Sequence, residues 1–258
     1  MAGNFSKLEI TRQFATITIQ RPDQMNALPP AAHYELSDIF DELEKNTSIR
    51  AVILTGSGRT FCTGYDLKHN LETGIIDLPK TGFGGLAFRA DYPLPVIAAV
   101  NGPAMGGGFE MALACDLIVA SENATFALPE PKVGWAALGG GVQRLPRAIG
   151  TKRAMSMILT GRSVNAAEGF ELGFVNQVVP AEELMSAAKT WADQIAQCAP
   201  LAIRCSKQAA YASFDQPNFT TMMNPKTYPS AAAMFTSEDA QEGKRAFSER
   251  RKPIWRGQ

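Results

Sequence analysis

Between Leu8 and Gln20 the chain alternates apolar and polar side chains, with Ala15, Ile17 and Ile19 set against Thr16, Thr18 and Gln20 after a first short run near Leu8 and Ile10. A period of two predicts half-buried strands. Beyond the turn-rich stretch "RPDQMNAL" the period changes: Leu36, Ile39, Phe40 and Leu43 recur at intervals of three and four, the stripe of an amphipathic helix. Three continuous apolar runs follow, "AVILT" at 51–55, "PVIAAV" at 95–100 and "LIVA" at 117–120, as strands buried on both faces require. Each opens into a glycine-bearing or turn-rich segment: "GSGRTFCTGYDL", "NGPAMGGG" and "SENATFALPEPKVGW". Strand, turn and helix therefore recur, an α/β pattern without a visible sequence repeat.

After about residue 180 the pattern is helical. Leu184, Ala188, Trp191 and Ile195 share one face, Pro200 starts a helix running to about Phe214, and a short helix from Ser237 ends in "ERRKPIW". Residues 68–90 have little periodicity and are rich in Gly and Thr, which predicts a mobile loop of the kind that covers sites.

Composition narrows the function. The 258 residues are 45% hydrophobic with 22 glycines, enough for a sizeable core, and 25 basic residues balance 25 acidic ones. That balance gives no global pull toward nucleic acid or membrane. Cys62, Cys115, Cys198 and Cys205 contain no CxxC pair, so reduced, mostly buried thiols and a cytoplasmic setting are expected. The opening "MAGNFSKLEI" has no apolar signal core, and no stretch is apolar enough to span a bilayer. His33 and His69 are the only histidines, which speaks against a His-rich zinc site and leaves few partners for a Ser–His–Asp triad. "GFGGLA" at 82–87 echoes a dinucleotide fingerprint but follows no apolar strand. Carboxylates and backbone N–H groups are left to carry any chemistry.

Three turns supply them. "FCTGYDL" sets Gly64 before Tyr65 at a strand-to-helix junction. "NGPAMGGGFE" places Gly106, Gly107 and Gly108 at a helix N-terminus, where free N–H groups suit an anion, with Glu110 just behind. "LPEPK" holds Glu130 between prolines. Taken singly, an ordinary turn, close helix packing and an exposed loop acid explain each. Together, two helix N-termini can direct two N–H groups at one oxygen, and two glutamates can serve the carbon chain attached to it. That is equipment for adding or removing water beside a carbonyl.

The ordered segments "FCTGYDL", "PVIAAVNGPAMGGGFEMALACDLIVAS", "FALPEPKVGW", "GGGVQRLPRAIG" and "LTGRSVNAAEGFELGFVNQVV" resemble the crotonase, or enoyl-CoA hydratase/isomerase, family nearly end to end. The resemblance implies a spiral of ββα turns over residues 1–195, a C-terminal helical trimerisation region over 196–258, and a homotrimer or homohexamer. It implies acyl-CoA thioester substrates, with coenzyme A as part of the substrate and no metal or other cofactor, and hydration of 2-enoyl-CoA by a hydro-lyase. The carried-over roles are Tyr65 and Gly107 as oxyanion donors, Glu110 and Glu130 as catalytic carboxylates, and Met25, Ala27, Asp66, Leu67, Met105, Trp135 and Leu138 around the substrate. One departure stands out: many hydratases carry Pro-Gly where this chain has Ala137-Leu138, with Trp135 nearby. Those side chains either reshape the acyl pocket or pack in the core. Rival reactions on the scaffold are isomerisation, dehydration of an unusual acyl-CoA, and hydrolysis. RNA binding through the basic tail, Lys244, Arg245, Arg250, Arg251, Lys252 and Arg256 against Glu249, is disfavoured by the neutral overall charge.

Overall fold

The computed structural model of the chain describes residues 3–11, 13–74, 76–216 and 218–258. In chain order the strands are β1 (Ser6–Thr11), β2 (Phe14–Ile19), β3 (Ala51–Gly56), β4 (Val96–Val100), β5 (Ala104–Met105), β6 (Leu117–Ser121), β7 (Thr125–Ala127), β8 (Val164–Asn165) and β9 (Gln177–Val179). The main sheet runs β1-β2-β3-β4-β6-β9, antiparallel in its first pair and parallel thereafter. A small second sheet, β5-β7-β8, stands beside it. The helices are α1 (Pro30–Lys45), α2 (Leu67–Thr73), α3 (Gly107–Ala114), α4 (Gly141–Ile149), α5 (Thr151–Ile158), α6 (Ala166–Leu172), α7 (Leu184–Ala196), α8 (Pro200–Ala212), α9 (Phe219–Met222), α10 (Pro229–Thr236) and α11 (Glu238–Ser248).

The continuous apolar runs have the predicted cause. Val52 and Leu54 of β3 and Val96, Ala98 and Val100 of β4 join a core on one face, with Leu36, Phe40 and Leu43 of α1. Ile53, Ile97 and Ala99 point the other way and pack under Leu184, Ala188 and Ala192 of α7. With a layer on each face, alternation is lost and every position must be apolar. At about 1.5–3 kcal/mol for each fully buried aliphatic side chain, both layers are needed to offset the entropy of ordering the strands.

The structure corrects the expectation for part of residues 68–90: the first part forms α2 and Gly82 through Ala87 are all buried, while Ile75 lies outside the described residues. Phe83 packs edge-on against His33 of α1 at 4.5 Å between ring centroids, and Gly84 N–H donates to His33 Nδ1 at 3.0 Å. Arg89 ties the far end down through Gly85 O and Ser37 O. The "GFGGLA" glycines therefore seat a turn on a helix. Gly85, at φ +66°, crosses so close to α1 that a Cβ would overlap the Ser37 amide nitrogen.

The C-terminal region is fastened to the core by a half-buried cluster. Lys207 of α8 reaches Asp116 Oδ2 at 2.6 Å and Leu94 O at 2.8 Å, and Tyr211 Oη donates to Asp116 Oδ1 at 3.0 Å. Two basic residues of the tail are engaged within the chain: Arg251 grips both Glu242 oxygens, at 2.6 and 2.9 Å, and Arg256 reaches Glu238 at 3.4 Å.

Candidate active site

Two turns of the spiral lie side by side. Phe61 N–H and Cys62 N–H donate to Pro103 O at 3.1 and 3.2 Å, and Met105 N–H returns a bond to Cys62 O at 2.9 Å. Gly108 fits because a Cβ there would overlap the Cys62 carbonyl, and Gly64, at φ +96°, lies so near that a Cβ on it would stand 3.2 Å from Gly107 N. On the other side Leu28 N–H donates to Gly64 O at 2.9 Å and Leu28 O accepts from Asp66 N–H at 3.0 Å. In such a parallel bridge Tyr65, lying between those partners, turns its own N–H away from Leu28. Gly107 opens α3 and has no preceding helical turn of its own to bond. The triple glycine thus serves close packing and a helix N-terminus at once.

Both carboxylates are buried: Glu110 is 5% exposed and Glu130 is 9% exposed. Glu110 lies in the first turn of α3, and its Oε1 accepts the Gly141 N–H at 2.9 Å from the start of α4. Burial pushes its pKa up to about 7, aided by the nearby Glu130 charge and opposed by the Gly141 and Gly139 amides and by Arg144. Glu130 follows β7 on a short 3-10 turn and is brought against the first glycine triplet: a Cβ on Gly106 would lie 3.0 Å from its Oε1. Burial raises its pKa too, and Oε2 has no hydrogen-bond partner among the described residues.

A second triplet, Gly139–Gly141, opens the matched segment "GGGVQRLPRAIG", where the sequence alone assigns it no role. A Cβ at Gly139 would stand 2.5 Å from Glu110 Oε2, and one at Gly141 3.1 Å from Oε1. These glycines clear the space into which the acid points.

The remaining sequence-predicted residues divide. Met25, at φ 50°, uses its carbonyl to hold Thr63 N–H at 3.2 Å, and Ala27 lies beside the Leu28–Tyr65 bridge. Asp66 is paired with Arg21 at 3.0 Å; burial would raise its pKa, but hydrogen bonds from Arg21 and the His69 amide hold it below the usual value. Leu67 is exposed at the start of α2, and Met105 is half-buried between the two turns. Trp135 and Leu138 are 39% and 66% exposed, which overturns the core-packing alternative for both. Trp135 N–H donates to Glu130 O at 2.9 Å, and Leu138 lines a cavity of about 580 Å³ between α3, α4 and α8. Tyr65, Gly107, Glu110 and Glu130 do not line that cavity, which lies beyond them along α3. His33 also escaped the sequence reading: it stacks on the Tyr65 ring at 5.5 Å, and burial lowers its pKa to about 4, so it is neutral at pH 7.

Comparison with known proteins agrees with this geometry. The family described as enoyl-CoA hydratase/isomerase matches residues 9–258. The chain is 42% identical over 249 residues to a carnitinyl-CoA dehydratase of Proteus mirabilis, covering 93% of this chain and 94% of that protein. A carnitinyl-CoA dehydratase of Salmonella paratyphi A is 40% identical, covering 97% and 98%. Among solved structures, an enoyl-CoA hydratase from Mycobacterium tuberculosis H37Rv superposes with a TM-score of 0.92 at 36% identity, covering 99% of this chain and 100% of that one. One from Bacillus anthracis gives 0.90 at 33% identity, with 99% and 100% covered.

Proposed function

The chain belongs to the enoyl-CoA hydratase/isomerase family, and from that premise we propose that it adds water reversibly across the 2,3 double bond of an enoyl-CoA, through an enolate held by the Tyr65 and Gly107 N–H groups. The observation that carries the proposal is Glu110: a buried carboxylate fixed by Gly141 N–H at 2.9 Å, with its pKa near 7. Such a group exchanges a proton at neutral pH at little cost either way. In the hydration direction Glu110 takes a proton from water as the water oxygen bonds to the β-carbon. The π electrons move onto the thioester oxygen, where each backbone donor is worth about 2.7–4 kcal/mol. Glu130, whose pKa burial raises so that its protonated form is favoured, then delivers a proton to the α-carbon, and the enolate collapses to the 3-hydroxyacyl thioester. Dehydration is the same path reversed, and the names of the carnitinyl-CoA dehydratase relatives support reading the site in that direction as well. The chemistry draws on no group beyond coenzyme A, which arrives as part of the substrate. Cytoplasmic location fits the free, mostly buried thiols.

Deuterium incorporation at the α-carbon in D₂O, measured beside hydration of an accepted thioester, tests the division of labour. Glu110→Gln is expected to lower hydration by about 10²–10⁴-fold while leaving slow α-proton exchange. Glu130→Gln should suppress both, because an amide cannot pass that proton on. Wild-type hydration by a folded Glu130→Gln variant would sink the two-carboxylate mechanism.

A further inference from the structure

Both N–H groups assigned to the thioester oxygen stand on backbone that glycine permits but does not fix. The Tyr65 N–H belongs to the peptide that follows Gly64, at φ +96°, and the Gly107 N–H to the one that follows Gly106, at φ +53°. With no Cβ to narrow its choice, a glycine at such angles is free to leave them. Each peptide is held at its carbonyl end: Gly64 O accepts from Leu28 N–H and Gly106 O from Glu110 N–H, both at 2.9 Å. A peptide tied by one bond can still pivot about it, so the direction of each N–H needs a second restraint. A donor displaced by about 1 Å can cost about 10²-fold in rate.

A pair of buried rings supplies it. His33, fully buried on α1, stacks on the Tyr65 ring at 5.5 Å between centroids and 20° between planes. Phe83 lies against Gly107, where a Cβ would stand 2.5–2.7 Å from three of its ring carbons. The two rings meet edge-on at 4.5 Å, and Gly84 N–H locks them by donating to His33 Nδ1 at 3.0 Å. Contact thus runs unbroken from Tyr65 through His33 and Phe83 to Gly107. At the far edge of the Tyr65 ring, Asp77 N–H donates to Tyr65 Oη at 3.3 Å, and Tyr34 Oη donates to Asp77 Oδ1 at 2.7 Å. An imidazole suits the central place because it is flat enough to stack and also accepts an N–H that a phenyl ring would leave unpaired. Burial outweighs the Leu28 carbonyl and the Asp77 charge and lowers its pKa to about 4, so Nδ1 remains an acceptor at neutral pH. We infer that His33 is a positioning residue: through Tyr65 on one side and Phe83 on the other it sets the spacing and direction of the two N–H donors, without touching substrate.

This inference rests on the oxyanion reading above, and its test separates the two. Infrared spectra of bound acetyl-CoA, carrying carbon-13 at the carbonyl, read the hydrogen bonds at the thioester oxygen without turnover. Hydration of crotonyl-CoA gives kcat and KM. His33→Asn keeps an acceptor for Gly84 N–H but removes the stacking ring, and Phe83→Leu keeps an apolar side chain but removes the edge contact, so the question survives if either variant fails to fold. Leu43→Ala, buried about 15 Å farther along α1, is the control for lost stability alone. The wild type is expected to lower the carbonyl frequency on binding, and each ring variant to lose at least about half of that shift. Each should lower kcat about 10–10²-fold with KM within about threefold. The double variant should fall no more than about threefold below the worse single one, because both act through one contact. Leu43→Ala should keep the carbonyl shift and kcat of its folded fraction. A full carbonyl shift in both ring variants overturns the inference, as do losses that multiply in the double variant or recur in Leu43→Ala. A wild type that leaves the carbonyl unshifted removes the oxyanion hole itself, and the inference with it. The infrared arm decides the matter whether or not crotonyl-CoA is turned over.

Discussion

At the scale of single residues, Glu110 concentrates the tension between stability and chemistry. Its pKa rises from an ordinary 4.5 to about 7 because ionisation in a buried position is disfavoured. Below pH 4.5 both folded and unfolded chains hold the proton and the group costs nothing. Between 4.5 and 7 the unfolded chain releases it first, so stability falls as pH rises, by about 3 kcal/mol in all once both forms are ionised. Glu110→Gln keeps an acceptor for the Gly141 N–H and has no proton to lose. The variant is expected to gain on the wild type steadily from pH 5 to pH 8 in urea unfolding, approaching that difference at the upper end. A stability difference independent of pH would place the raised pKa elsewhere.

Among the elements, those read most readily from sequence were the ones whose environment is the same along their whole length. The runs forming β3, β4 and β6 announce burial on both faces, and the stripe of α1 announces one apolar partner. Tyr65, Gly107, Glu110 and Glu130 were nominated from turns whose residue types have few other uses in that order, with their roles supplied by the family resemblance. The turn at 82–87 was not legible, since its packing depends on a histidine 51 residues earlier and on left-handed glycines, neither of which has a period. The second glycine triplet was visible, but its purpose lies in a carboxylate 31 residues away. The 82–87 turn also reaches the site, because Phe83 packs where a Cβ on Gly107 would stand, 2.5 Å from its ring. Gly85→Ala combines a left-handed backbone with overlap against α1. It should cost about 2–4 kcal/mol, read as a lowered denaturation midpoint at unchanged slope, and should slow turnover in the fraction that remains folded.

For the molecule as a whole, helix α7 changes the argument for assembly. Its apolar stripe, with Leu184, Ala188 and Ala192, is spent on the chain's own sheet. The later helices keep unmatched apolar surface: Phe219 is 70% exposed, Phe235 60% and Phe247 88%. Exposed aromatics on three successive helices are natural subunit contacts. Sedimentation at micromolar concentration should therefore find trimers or hexamers, and Phe235→Glu together with Phe247→Glu should shift the population toward the 27.8 kDa chain; a monomeric wild type would contradict this. The laying of residues 61–65 along 103–105 has a consequence in time as well as in space. Neither segment holds a reactive geometry alone, and each must wait for loops of some forty residues to close before the two can meet. Closing such loops is entropically slow compared with forming a helix. A nascent or partly refolded chain can thus display much of its secondary structure while being catalytically silent, and competence arrives only with the last winding of the spiral.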